Sequence, residues 1–81
     1  MNQVFIIIEI LEYKYRFLLN NKNNAICKVS GKLINGSIIN LIAYDKIADK
    51  CLRILKKGEI YLIEGKINSK MEVIIRNIRM I

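Results

Sequence analysis

The chain of 81 residues has no histidine, no tryptophan and no proline, and only four glycines and two cysteines. Without histidine there is no imidazole to serve as a general base near neutral pH. Neither Cys27 nor Cys51 belongs to a CxxC pair, so no zinc site is expected. Both thiols are read as small, buried apolar groups in preference to a disulfide. No serine lies in a nucleophile elbow and no glycine-rich loop could cradle a phosphate. The seven carboxylates have nothing to assemble with into an acid–base site, so the chain is read as a non-enzyme with no cofactor and no metal. Long apolar runs are also missing. Val4–Ile8 is far shorter than the roughly 18 residues a membrane span needs, and Glu9 and Glu12 follow it, so neither a signal segment nor a membrane association is expected.

What is present is strongly apolar and strongly basic. Hydrophobic residues make up 53% of the chain, and with no proline nothing resembles a linker or a disordered tail. One domain spanning residues 1–81 with one core is expected at this length. Fourteen Lys and Arg against seven acidic residues give a net charge of +7, which favours a polyanionic partner, nucleic acid first. A basic solvated surface without a partner accounts for the charge equally well, so residue pattern has to decide. The abundance of Ile, Lys and Asn fits an AT-rich genome, pointing to a cytoplasmic or organellar location with the plastid stroma as the expectation.

Periodicity predicts three strands, one helix and two strands. Val4–Leu11 is a β-branched run with one buried face, and Tyr13–Phe17 continues with period two, placing Tyr13, Tyr15 and Phe17 on one side and Lys14 and Arg16 on the other. Asn20–Asn24 reads as a turn, Ala25–Ser30 as the second strand and Gly31–Gly36 as the next turn. In the third strand, Ser37–Tyr44, polar Asn40 shares a face with Ile38, Ile42 and Tyr44, so Ile39, Leu41 and Ala43 should point inward. Asp45 is expected to cap a helix whose apolar positions are Ile47, Ala48, Cys51, Ile54 and Leu55, with Lys56 and Lys57 at its end and Gly58 as its stop. Glu59–Ile67 and Met71–Ile81 complete the order, and Gly65 marks a bulge or bend. The expected fold is all-β, a five-stranded OB-fold barrel with one helix between strands three and four.

Ile39-Asn-Leu-Ile-Ala-Tyr-Asp-Lys-Ile-Ala-Asp-Lys-Cys51 and Leu55-Lys-Lys-Gly-Glu-Ile-Tyr-Leu-Ile-Glu-Gly-Lys-Ile67 resemble the bacterial and organellar single-stranded-DNA-binding protein family. Glu72–Ile81 is similar to that family's last barrel strand, and Asn2–Ile6 with Arg16-Phe17 to its opening. The resemblance implies an OB-fold that oligomerises, as a homodimer or homotetramer, and wraps single strands over aromatic rings with little sequence preference. Ile38 stands where the family usually has a stacking tryptophan, the two long hairpins are cut back to Gly31–Gly36 and Asn68–Lys70, and no acidic C-terminal tail is present. In these respects the chain is closer to the primosomal replication protein N type, or to small SSB-like proteins encoded by algal plastids.

Single-strand binding needs cations along the phosphates and flat rings for the bases. Tyr44, at the family's aromatic position on the third strand, is expected to be exposed and to bind, whereas Phe5 and Tyr61 are expected in the core. For Tyr13, Lys14, Tyr15, Arg16 and Phe17, interleaved rings and cations suit binding, but a charged edge strand alternates in the same way, and both readings stay open. Lys28, Arg76 and Arg79 must face outward, and with Asn40 they complete the expected nucleic-acid-binding set. Lys46, Lys50, Arg53, Lys56 and Lys57 form the helix's solvated face. The expected function is sequence-tolerant single-stranded DNA binding in replication or repair, with RNA as an alternative ligand. The rival is an OB-fold kept for protein–protein contact within a larger complex.

Overall fold

The computed structural model describes residues 3–18 and 24–81. The elements are β1 (Gln3–Leu18), β2 (Asn24–Lys32), β3 (Ile38–Tyr44), α1 (Asp45–Ile54), β4 (Ile60–Ile67) and β5 (Val73–Met80). The strands form a closed barrel in the order β1-β2-β3-β5-β4, in which β3 and β5 are parallel and the other pairs antiparallel. Three strands, one helix and two strands closing in this order make an OB-fold, as expected. Of the predicted turn Asn20–Asn24, Asn24 opens β2 and the rest lies outside the described residues.

The two predicted pieces of the first strand are one strand of 16 residues. Its first half, Gln3–Glu9, pairs with β4, and its second half, from Glu9 to Leu18, pairs with β2. Between Ile10 and Glu12 the register slips at Leu11. An extra residue in a strand of period two exchanges the faces. Before the slip Val4, Ile6, Ile8 and Ile10 point to the core, and after it Tyr13 and Tyr15 do. Phe5 therefore falls on the outer face opposite Glu64 and is 63% exposed, which corrects its expected place in the core. An apolar run on both faces of a strand carries no signal of which side is inward.

The neighbouring wall uses the same device. The register of β4 and β5 slips between Glu64 and Gly65, where the bulge was expected, and Ile75 and Ile78 both reach the core across it. A Cβ on Gly65 would stand 2.6 Å from Val73 Cγ1 and 2.7 Å from the Ile74 carbonyl oxygen, so only glycine lets the strands approach this closely. Gly31, expected in a turn, is a buried position of β2, and the turn itself is closed by Leu33 and Ser37.

Helix α1 buries Ala48 and Cys51, with Ile47 and Ile54 packed against the core, matching the predicted apolar face. Its ends differ from expectation. Tyr44 holds the N-cap position with extended backbone, and no side chain caps the helix there. Asp45 is instead its first residue, with φ of 53°, and its carboxylate accepts a hydrogen bond from the Ala25 amide (3.3 Å), tying the start of α1 to β2. At the other end Gly58 is not the stop. The phenol of Tyr61, fully buried as expected, donates to the Ile54 carbonyl (2.6 Å) and accepts from the Lys56 amide (3.0 Å), capping the last turn from inside the barrel. Cys27 of β2 and Cys51 of α1 are both buried and free. The contact between the two thiols, together with burial, pushes the Cys51 thiol up, and neither thiol is exposed.

Leu41 and Ala43 fill the core and Ile39 packs against it, as the alternation in β3 required. Ile42 is buried too, although it lies on the outer face, because it is flanked in register by Lys28 and Ile74. We expect Gly65→Ala to cost about 1–3 kcal/mol in urea-unfolding free energy through overpacking against Val73 and the Ile74 backbone, with unchanged circular dichroism in the surviving native state.

Candidate nucleic-acid interface

Past the Leu11 slip, the outer face of the sheet formed by β1, β2, β3 and β5 is built from three rows of side chains. Register places Arg16 beside Ile26 and Ile26 beside Tyr44. The next row is Lys14, Lys28, Ile42 and Ile74. The third begins Glu12, Ser30, Asn40. In the parallel register of β3 and β5, Leu41 faces Val73 and Ile42 faces Ile74. Glu72, in the turn just before β5, lines the same groove as Asn40, and Arg76 is the exposed residue of β5 left without a partner where Glu64 faces Asn77 and Gly65 faces Ile75.

Lys14, Arg16, Lys28, Asn40, Tyr44 and Arg76 are all exposed on this face. Among the described residues the one ion pair is Lys32 with Glu9 (3.9 Å), so the four cations of the face hold no carboxylate at salt-bridge distance. They are solvated charges whose counterions a polyanion would displace. Tyr44 is 44% exposed, beside Ile26 in register, with Arg16 one strand further along its row. A shallow groove of about 350 Å³ runs beside Lys14, Lys28, Ser30 and Asn40, with Glu12 and Glu72 on its margins.

Of the remaining expected site residues, Tyr13 borders the groove but its ring does not join the outer face, and the others are elsewhere. Tyr13 and Tyr15 turn inward and pack against the core, and Phe17 lies on their side of β1, opposite Ala25, 53% exposed. The Tyr15 phenol donates to the Asp49 carboxylate of α1 (2.6 Å), which holds the ring against the helix. Interleaving thus separates the rings of this segment from its cations. Lys14 and Arg16 share the face of Tyr44, and the rings do not. Arg79 pairs in register with Leu62 on the far wall, beside Phe5, and does not join the group. Of the helix cations, Lys46, Arg53, Lys56 and Lys57 are exposed as expected, whereas Lys50 is half-buried and donates to Asn77 (3.1 Å). Sequence reasoning missed Glu72, since its place beside Asn40 follows only from the parallel register of β3 and β5.

No protein-family model matches the chain, and no curated protein matches it. Solved structures do. The SSB domain of a protein from Synechococcus sp. superposes with a TM-score of 0.85 at 13% identity, over 98% of this chain and 94% of that one. The mitochondrial single-stranded DNA binding protein Rim1 from S. cerevisiae gives 0.78 at 16% identity, over 98% and 92%. The second OB-fold domain of replication protein A from Methanococcus maripaludis gives 0.72 at 20% identity, over 95% and 81%. At such identities the likeness shows the OB-fold.

The bond to Asp49 makes a pH-dependent marker of Tyr15. The carboxylate accepts the phenolic proton and disfavours its loss, so the Tyr15 pKa is raised above its ordinary value of 10.0. A raised folded-state pKa contributes stability that is complete below the ordinary value and is lost as pH rises through the folded one. The wild-type melting temperature should therefore carry a component that falls as pH rises above about 10, and Tyr15→Phe should lose it. An identical alkaline profile in the variant would show that the bond is not made.

Proposed function

We propose that this chain is a non-enzymatic, sequence-tolerant single-stranded DNA-binding module serving replication or repair. The observation that carries this reading is the gathering of Tyr44, Lys14, Arg16, Lys28 and Arg76 on one open sheet face, with no carboxylate paired to any of the cations among the described residues. A ring for stacking within a field of cations is the arrangement that holds a single strand without reading its sequence. The net charge of +7 and the OB-fold's similarity to structures named as single-stranded DNA binding proteins support it. Composition supports an organellar source, the plastid stroma in particular.

With four cations engaged, affinity for a single-stranded oligonucleotide of mixed sequence should fall about 50-fold between 50 and 200 mM salt. Tyr44→Ala should weaken binding by about 1–3 kcal/mol with little change in melting temperature. Undetectable binding at 50 mM salt would overturn the proposal. Competition with RNA of the same sequence separates the two ligands, since only RNA offers a 2′-hydroxyl.

A second observation favours a homo-oligomer. Residues Gln3–Ile8 of β1 pair with β4 on one side only, because pairing with β2 begins at Glu9. This open edge borders an apolar outer face in which Phe5 is 63%, Ile7 51% and Ile60 50% exposed. Unpaired strand edges and apolar patches of this kind are covered in stable proteins. Pairing of two β1 edges about a twofold axis satisfies the backbone and makes the apolar face continuous for a further dimer to cover. Sedimentation equilibrium should report a dimer or tetramer, and Ile7→Lys a monomer. A monomeric wild type, or a nuclease-resistant complex with another protein, would favour the rival protein-interaction role.

A further inference from the structure

Two carboxylates in the groove are unexpected on a face that attracts phosphates. Glu12 and Glu72 sit at opposite ends of the groove, the row Glu12, Ser30, Asn40 crossing β1, β2 and β3 toward Glu72 in the β4–β5 turn over roughly 14 Å. Glu72 is held in place. Its Oε1 accepts from Asn68 Nδ2 (3.1 Å), and Asn68 Oδ1 in turn accepts from the amides of Lys70 and Glu72 (2.9 Å each), which pins the β4–β5 turn. Its second oxygen has no partner among the described residues. The groove of about 350 Å³ is at the small end for a ligand site and is lined on one side by Lys14 and Lys28. The row is thus rich in acceptors, while the next row, about 7 Å away, supplies the cations.

This division matches the two ends of a nucleotide. A phosphate is attracted to the lysines and repelled by the glutamates, so a strand lying along the lysine row presents its base to the acceptor row. An ionised carboxylate only accepts hydrogen bonds. Cytosine offers it an N4 amino group and adenine an N6 amino group, and Asn40 can serve adenine with both its amide groups. Thymine presents two carbonyls and a single N–H, so the same carboxylates oppose it.

We propose that the groove between β1, β2, β3 and the β4–β5 turn is a seat for one unstacked base carrying an exocyclic amino group, selected by Glu12 and Glu72 against thymine. This rests on the single-strand reading above and adds a base preference at one position to an otherwise tolerant surface. Tyr44 stacks without choosing, and the acceptor row chooses.

The test is fluorescence anisotropy with 12-mer oligo(dC) and oligo(dT) at pH 7.5 and 50 mM salt. The wild type should bind oligo(dC) at least about fivefold more tightly than oligo(dT). Glu72→Gln and Glu12→Gln should each bind oligo(dT) more tightly, because a repelling charge is gone, and should bring the two strands within about twofold. Glu59→Gln removes the same charge at an exposed site outside the groove and should leave the ratio as it is. Melting curves of each variant report whether the fold is intact. Equal wild-type affinities, or a ratio that survives in both groove variants, overturn the base seat while leaving the single-strand reading standing. No binding of either strand overturns both.

Discussion

Closure of the barrel depends on one strand pairing with two partners, and β1 does so only by slipping register at Leu11. A sheet this small cannot close flat. Strands must tilt and bend, and a bulge provides the bend at the cost of one unpaired residue. The first half of β1 zips to β4 and the second to β2, so the strand is the seam of the barrel. The complementary irregularity at Gly65 bends β4 against β5 on the neighbouring wall, where backbone approach leaves no room for a Cβ. Tyr61 then joins this barrel to its lid. It is one of the largest fully buried side chains, and its hydroxyl satisfies a carbonyl and an amide at the end of α1 that burial would otherwise leave costly.

The slip at Leu11 also sorts the surface. Because it exchanges inner and outer faces, the outward residues of β1 change from Phe5 and Ile7 to Lys14 and Arg16 within one strand. One half presents an apolar wall beside an open edge, and the other presents cations aligned with Lys28 and Tyr44. A continuous alternation through residues 4–17 would have set all the odd-numbered residues on one side, mixing Phe5 and Ile7 with Tyr13, Tyr15 and Phe17. The bulge gives one strand two outward surfaces of different character, Phe5 and Ile7 in its first half and Lys14 and Arg16 in its second.

The elements were legible in the sequence because each has a clear period. Ile39, Leu41 and Ala43 alternate, Ala48 and Cys51 recur at helical spacing, and Gly65 interrupts a run of apolar residues where the bulge occurs. The cations and Tyr44 were legible for a related reason, since Lys14, Lys28 and Arg76 have nowhere to go but outward. What could not be read was any feature that depends on long-range register. Phe5 lies in an apolar run of β1 and its face is set by pairing with Glu64, a partner far away in the chain. Tyr15 looks like a stacking ring beside two cations until α1 supplies Asp49. Asp45 looks like a cap, and the left-handed backbone that turns its carboxylate to Ala25 has no signature in local sequence. Glu72 enters the groove through the one parallel pairing in the barrel, which no local pattern announces.

On the proposed reading, a chain without tryptophan and with one well-placed ring would have a weak monomeric grip by simple arithmetic. One stacked base contributes about 1–3 kcal/mol and a few phosphate contacts supply a salt-sensitive remainder, whereas micromolar affinity requires about 8 kcal/mol. Larger rings or longer hairpins would raise the grip within one domain, but the β2–β3 turn is short, and at its base Ile38 offers an aliphatic side chain in place of a ring. Repetition is the remaining route. Under the proposed function, copies joined through β1 would hold several Tyr44 faces at a fixed separation, so that each further contact on a long strand would be intramolecular, its cost in translational freedom already met. The proposed assembly through the open edge of Gln3–Ile8 and the modest chemistry of the outer face are therefore linked physically: the weaker each face, the more the proposed binding of a strand would depend on the assembly.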